Sequence, residues 1–449
     1  MGVRFKKIAG MGLVSMALAG AWTVLAEPAT FTRLDNVVSN PSLYSGYTYA
    51  NGVSADGAVV VGRSYAYFSG AFVPVYWVGN TAIEIPTFPG NFAYDGSAAA
   101  VSGDGRYVAG SWTWGNSPYN LEAFRYDTLT GVIQPLGDLP GNEQFMSSAA
   151  AIDRAGRRIA GRSASTGLPN GEPALWEIPS NSMQPIIRRG LGIPGNTYSS
   201  SEGRSSSISG SGRWVFGTFS PGGVNSQDVF AWTDSVQGEG GSTLVPSPWY
   251  VNRANGTNHD GGIVACSLQQ GGYVSTPAIW HNPAMGGTGF ELLPVLPDQN
   301  SADANAASDD GSVVVGRGFN AEFWGIYDER AVMWREGVGI VAIQDLLRDF
   351  YLADLGGVTL QAATGVSADG QTIVGIGYRA DFQPTAWKAF IPNCPADFNG
   401  DGGVDGQDVE AFHSAWETSV PYADVNFDGG VDGGDVEVFF TAWEAGGCS

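Results

Sequence analysis

Ser54-Ala-Asp-Gly57-Ala-Val-Val-Val-Gly62 packs a turn former, an apolar strand and two glycines into nine residues, and the chain carries seven versions of this pattern. The further copies run Gly105 to Gly110 (GRYVAG), Gly156 to Gly161 (GRRIAG), Gly212 to Gly217 (GRWVFG), Gly311 to Gly316 (GSVVVG) and Gly370 to Gly375 (GQTIVG). Gly261 to Cys266 (GGIVAC) is a divergent fifth copy, with Cys266 where the other six have glycine. Successive first glycines stand 48, 51, 56, 49, 50 and 59 residues apart, and each is followed 17 to 23 residues later by an aromatic. Those aromatics are Trp77, Tyr126, Trp176, Trp232, Trp280, Trp334 and Trp387. Two independent markers in one register exclude chance repetition.

An Asp-Gly pair favours a hairpin turn, so each copy predicts a strand, a turn and a second apolar strand. A third strand ends in the aromatic and a fourth follows, as in Ala82-Ile-Glu-Ile85 behind Gly79-Asn80. Four short strands in about 50 residues are the repeat of a β-propeller blade. The reading is therefore mainly β: a seven-bladed β-propeller over residues 28–391, whose 364 residues allow 52 per blade. Phe31 to Val37 reads as a fourth strand with no third before it, and the chain after Trp387 lacks a fourth. The N-terminal strand should complete the last blade and close the ring, removing exposed sheet edges. Cys266, in a packed strand, should be buried.

Around this core, 22 Lys+Arg stand against 44 Asp+Glu, a net charge of -22 that argues against a nucleic-acid or anionic-membrane partner. Gly, at 65 of 449, is about double its usual share, as many tight turns require. Residues 1–26 read as a secretory signal peptide: Arg4, Lys6 and Lys7, an apolar run from Ile8 to Leu25, and Val24-Leu25-Ala26 as the cleavage site. No later stretch is long and apolar enough to span a membrane. The mature chain is thus expected to be secreted, extracellular or cell-surface attached. In that oxidising setting Cys394 and Cys448, which bracket the last segment, are the expected disulfide.

That segment, residues 394–449, holds two copies of one acidic loop, 27 residues apart. The first offers Asp397, Asn399, Asp401, Gly403, Asp405 and Asp408; the second offers Asp424, Asn426, Asp428, Gly430, Asp432 and Asp435. Oxygen side chains at positions 1, 3, 5, 9 and 12, with a backbone carbonyl at 7, are what a hard cation needing six or seven oxygens requires, so two Ca2+ ions are expected. Asp replaces the usual Glu at position 12, which shortens that ligand's reach. Each loop runs into a helix with apolar residues at helical spacing: Val409, Phe412 and Trp416, then Val436, Phe439, Phe440 and Trp443. The segment has 12 acidic residues and no Lys or Arg, so its folding is expected to depend on the cation.

The hexapeptides and Ser-Ala-Asp-Gly turns resemble the extracellular HAF-type repeats of bacterial secreted proteins. Ala123-Phe124 matches that family's Ala-Phe core, with Glu122 in place of its usual His. The paired loop-helix units resemble a type I dockerin, and the run from Cys394 to Cys448 resembles the terminal module of GC-type dockerin domain-anchored proteins. These resemblances imply architecture and attachment, through 394–449, to a cohesin or another surface receptor. They imply no reaction. Gly406-Gln407 and Gly433-Gly434 depart from common cohesin-contacting residues.

The loops joining second to third strands are rich in aromatics, and Trp112, Trp114 and Trp324 are the preferred ligand-binding residues, suited to stacking on an extracellular polysaccharide or protein. Catalytic residues are not identifiable. The mature chain has only His259, His281 and His413, and Glu322, Asp328, Glu329 and Asp381 are loop acids with no motif pairing two of them. The expected function is a noncatalytic binding or scaffolding propeller anchored by a calcium-dependent dockerin. The alternative is a dockerin-displayed polysaccharide-degrading enzyme, a hydrolase or lyase.

Overall fold

In a computed structural model the described residues are 29–37, 44–66, 70–88, 93–114, 120–141, 146–166, 168, 171–181, 183–192, 202–220, 228–234, 241–245, 250–271, 273–322, 325–335, 339–392, 395–399, 403–420, 423–426 and 430–444. The expected leader lies outside them. Among them no helix is long and apolar enough to cross a membrane.

Each repeat folds as a four-stranded antiparallel sheet, giving a seven-bladed β-propeller. Blade 1 is Tyr44–Val53, Val59–Ala66, Ala71–Val78 and Thr81–Glu84; its strands, like those of every blade, are lettered a to d outward. Blade 7 supplies only Thr359–Val366, Thr372–Tyr378 and Pro384–Phe390. Thr30–Arg33 pairs with that last strand, Thr30 opposite Phe390 and Arg33 opposite Trp387, and closes the ring as expected. The long spacing before the seventh repeat is a helical insert, Ile343–Asp345 running into Leu346–Phe350.

The two glycines of the hexapeptide do different work. The first has positive φ in all seven turns, +67° to +82°. In the first blade its missing side chain also admits the next sheet, since a Cβ on Gly57 would lie 2.3 Å from Thr372 Oγ1. The second faces a β-bulge that recurs in every a strand: a Cβ on Gly62 would lie 1.9 Å from the Tyr49 carbonyl oxygen. The seven marker aromatics are buried, from Trp77, Trp176 and Trp387 at 0% exposure to Tyr126 at 6%. The core is a series of blade-to-blade interfaces, as where Val374 and Ala386 of blade 7 pack with Val60, Val75 and Trp77 of blade 1. Three indoles also reach into the neighbouring blade's connection: Trp77, Trp176 and Trp334 donate to the carbonyls of Asp35, Gly137 and Pro294. Cys266 is buried beside Trp214, Phe216 and Trp280, and burial pushes its thiol up to about 12, so it stays protonated and unreactive.

Two rings of hydrogen bonds join the blades around the axis. At the a-to-b turns, amide-to-carbonyl bonds link Ala55 to Gly103, Gly103 to Arg154 and Arg154 to Gly210, and Ser211 donates to His259. The Asn258 side chain donates to Asp309, Asp309 to Ala368, and Ala368 to Ala55, completing the circle. Further along the axis the bulge residues reach the next blade's a strand: Asn51 to Ala98, Ser206 to Ala254, Asn255 to Ala304, Asn305 to Ala363 and Thr364 to Ala50. Blades 2 and 3 have Ala99 and Ala150 at that position and interrupt the second ring.

After the propeller come two helices, Gly406–Glu417 and Gly433–Glu444. Phe412 and Phe439 stack with centroids 4.2 Å apart and planes 4° from parallel, and with Val425 they are the buried centre of this pair.

Candidate functional site

The two acidic loops are built alike. Asp408 begins its helix from inside: its Oδ1 accepts from the Asn399 amide at 3.0 Å and its Oδ2 from the Asp405 amide at 2.8 Å. Asp435 repeats both bonds, from Asn426 at 3.2 Å and Asp432 at 2.8 Å. Asp405 and Asp432 in turn accept from Gln407 and Gly434, capping the helix starts. The loops are tied crosswise: Trp416 donates its indole N–H to the Asp432 carbonyl, and Trp443 donates to that of Asp405.

Burial here is unusual for charged groups. Asp408 and Asp435 are at 0% exposure, Asn399 at 1% and Asp424 at 6%, in a segment with no Lys or Arg to neutralise them. A buried carboxylate without a counter-charge is strongly unfavourable, and two amide donors do not supply one. An all-oxygen donor set around a buried excess of negative charge fits a hard cation such as Ca2+. Asp397, Asn399, the Gly403 carbonyl, Asp405 and Asp408 would hold one ion, and Asp424, Asn426, the Gly430 carbonyl, Asp432 and Asp435 a second. Asp401 and Asp428, the fifth-position ligands, lie outside the described residues, as do Cys394 and Cys448. Among the described residues no three His, Cys, Asp or Glu side chains converge as a metal centre.

On the propeller the aromatic reading needs correction. Trp112 is buried at 2% exposure and pressed on Gly96, where a Cβ would come within 2.5 Å of its ring. It cannot stack on a ligand. Strand b of blade 2 runs Tyr107–Trp114, past the hexapeptide, so Trp112 belongs to the sheet and not to a loop. Phe219 and Phe319 are buried for the same reason, within Trp214–Ser220 and Val313–Glu322. Trp114 ends its strand opposite Ala93, but its side chain and all of Trp324 lie outside the described residues. Among the described residues nearby, Tyr327 and Phe382 are exposed.

The loop acids each have a partner. Glu322 accepts from the Tyr327 hydroxyl at 2.6 Å, Asp328 pairs with Arg330 at 2.8 Å, Glu329 with Arg317 at 2.7 Å and Asp381 with Arg379 at 3.0 Å. Asp328 shares Arg330 with Asp298, and Glu329 shares Arg317 with Asp303. His281 contacts Glu291 at 2.8 Å and His413 faces Glu417 at 3.7 Å. His259 lines an axial cavity of about 150 Å³ at the turn ring, where Arg154 of blade 3 pairs with Asp309 of blade 6. Each of these three residues is the second of its four-residue turn; blades 1, 2, 4 and 7 have Ala or Gly there. This cluster ties one end of the axis together and escaped sequence reading because its members are 50 to 155 residues apart.

Glu122 is the most perturbed acid on the propeller. It is buried at 4% exposure, and burial pushes its carboxyl up to about 7 although the Gly137 amide donates to Oε1 at 2.7 Å. It pairs across the sheet with Trp112, away from the axis.

No family model matches the chain, and no curated protein does. Among solved structures it is similar to the β-propeller domain of the trilobed protease from Pyrococcus furiosus, at 12% identity and TM-score 0.48 over 76% of this chain and 95% of that one. That propeller is described as having an open velcro topology, whereas Thr30–Arg33 closes this one. Oligogalacturonate lyase from Vibrio parahaemolyticus is similar at 12% identity and TM-score 0.47, over 82% and 98%. TolB from Acinetobacter baumannii is similar at 14% and 0.37; the match covers 64% of this chain and spans 60% of that one. Likeness at this level carries no argument about chemistry.

Proposed function

We propose that the protein is an exported, noncatalytic binding or scaffolding propeller, held to an extracellular complex or cell surface by a calcium-dependent, dockerin-like module at residues 394–449. The observation that carries this reading is the set of buried carboxylates Asp408, Asp424 and Asp435 in a segment without Lys or Arg. Identical hydrogen bonds order the last ligand of both loops, as a duplicated cation site would need. The receptor is then a cohesin-like or other surface protein, reached through this module, and the propeller is free to engage an extracellular polysaccharide or protein. The alternative, a displayed polysaccharide-degrading enzyme, has less support because Glu322, Asp328, Glu329 and Asp381 are each tied to a basic or hydroxyl partner.

Calorimetric titration of the mature chain with Ca2+ tests the first half: two ions are expected per chain, and absence of binding overturns the anchoring reading. Incubation with polysaccharides of several classes tests the second. Polymer length should not change, and shortening would establish the enzyme instead.

A further inference from the structure

The residue preceding each bulge pair on the a strands comes close to the axis, and only blades 4 and 5 place a cation there, as Arg204 and Arg253. Both are exposed, and both line a cavity of about 320 Å³ together with Ala150, Ser206, Thr218 and Asn255. The cavity lies where the second hydrogen-bond ring is broken, because Ala150 has no side-chain donor to reach the next blade. Its volume is at the lower end of those that hold small molecules.

Charge at this spot runs against the rest of the chain, which has twice as many acids as bases. The Arg253 guanidinium has no ion pair among the described residues. Asp303, at the same strand position in blade 6, is already satisfied by Arg317 at 2.6 Å and by the Ser275 hydroxyl at 2.7 Å. Two guanidinium groups lining one recess focus a positive potential, and their planar forks match an oxyanion bidentately. Of the neutral residues, Ser206 and Asn255 have their donors committed, whereas the buried Ser205 hydroxyl on the same wall has no partner among the described residues. Ser206 gives its hydroxyl proton to the Ala254 carbonyl, and the Asn255 amide donates to Ser267 and Ala304. What they offer inward is acceptor oxygen, suited to the hydroxyl groups of a ligand.

We infer that this axial cavity binds a small polyhydroxylated carboxylate of the uronic acid kind. Arg253 takes the carboxylate, Arg204 adds to the positive potential of the recess, and Ser206 and Asn255 accept from the ligand's hydroxyls. The inference rests on reading the propeller as a binding module and names the chemistry of what it binds.

Titration calorimetry of the calcium-loaded mature chain with glucuronate, glucuronate methyl ester and glucose provides the test. Glucuronate should bind, and weaken as salt is raised, whereas the ester and glucose should bind at least about tenfold more weakly. The double variant Arg204→Gln/Arg253→Gln should lose glucuronate by at least about tenfold. Ala150→Asn, which fills the break in the ring and keeps both charges, should also weaken it, so the result does not depend on one variant's folding. Equal affinity for glucose, an unchanged affinity in both variants, or no glucuronate binding at millimolar concentration would overturn the site. Binding accompanied by conversion of a glucuronate-containing oligomer keeps the site and overturns the noncatalytic reading.

Discussion

The propeller and the C-terminal helix pair are both built by repetition, yet they hold themselves together by different physics. Every blade interface of the propeller buries its own apolar cluster, and two rings of hydrogen bonds join the sheets at the axis. Among the described residues of the 56-residue segment, the helix pair buries Phe412, Val425 and Phe439 as its core cluster and places carboxylates beside it. Domains this small need a staple, and on the proposed reading a cation bound by the acidic loops is that staple. The difference teaches where to look for conditional stability: the propeller has apolar interfaces throughout, whereas the helix pair, on the proposed reading, depends on a bound cation.

Substitutions break or sharpen this contrast. The largest effect is expected from Trp176→Ala, which empties a fully buried site and removes the bond to Gly137: about 3–5 kcal/mol from the propeller transition, with the helix pair unmoved. Thermal melts of the mature chain in calcium check this. Next is Glu122, whose carboxyl is raised in the folded protein to about 7 from its ordinary 4.5. Between those values the folded chain holds a proton that the unfolded chain has released, so propeller stability should fall as pH rises from about 4.5 to 7 and stay low above it. Glu122→Gln should remove that slope and add about 2–3 kcal/mol at pH 8, read from melting temperatures across the range. Trp416→Phe, which deletes one crosswise indole bond while keeping the ring, should cost the helix pair about 1 kcal/mol in calcium and leave the propeller untouched.

Much of this was legible in the chain. Gly57 and its equivalents marked the turns, where their φ is positive, but the bulges that the second glycines face were not read from the chain. Closure by the N-terminal strand followed from a missing fourth strand. Burial of Cys266 followed from its place in the repeat. What strand patterns hide is where a strand stops. Residues after the hexapeptide read as loop, but the b strands run on, so Trp112, Phe219 and Phe319 are buried in the sheets. The axis was equally hidden. Arg154 meets Asp309, and Arg204 shares a cavity with Arg253, only because closing the ring brings different blades to one centre.

The contrast between intrinsic and conditional stability is tested most directly by differential scanning calorimetry of the mature chain, in calcium and in excess chelator. Two transitions are predicted in calcium, with the smaller one abolished by chelation and the larger one unchanged. A profile identical in both conditions would contradict the account, as would loss of the larger transition on chelation.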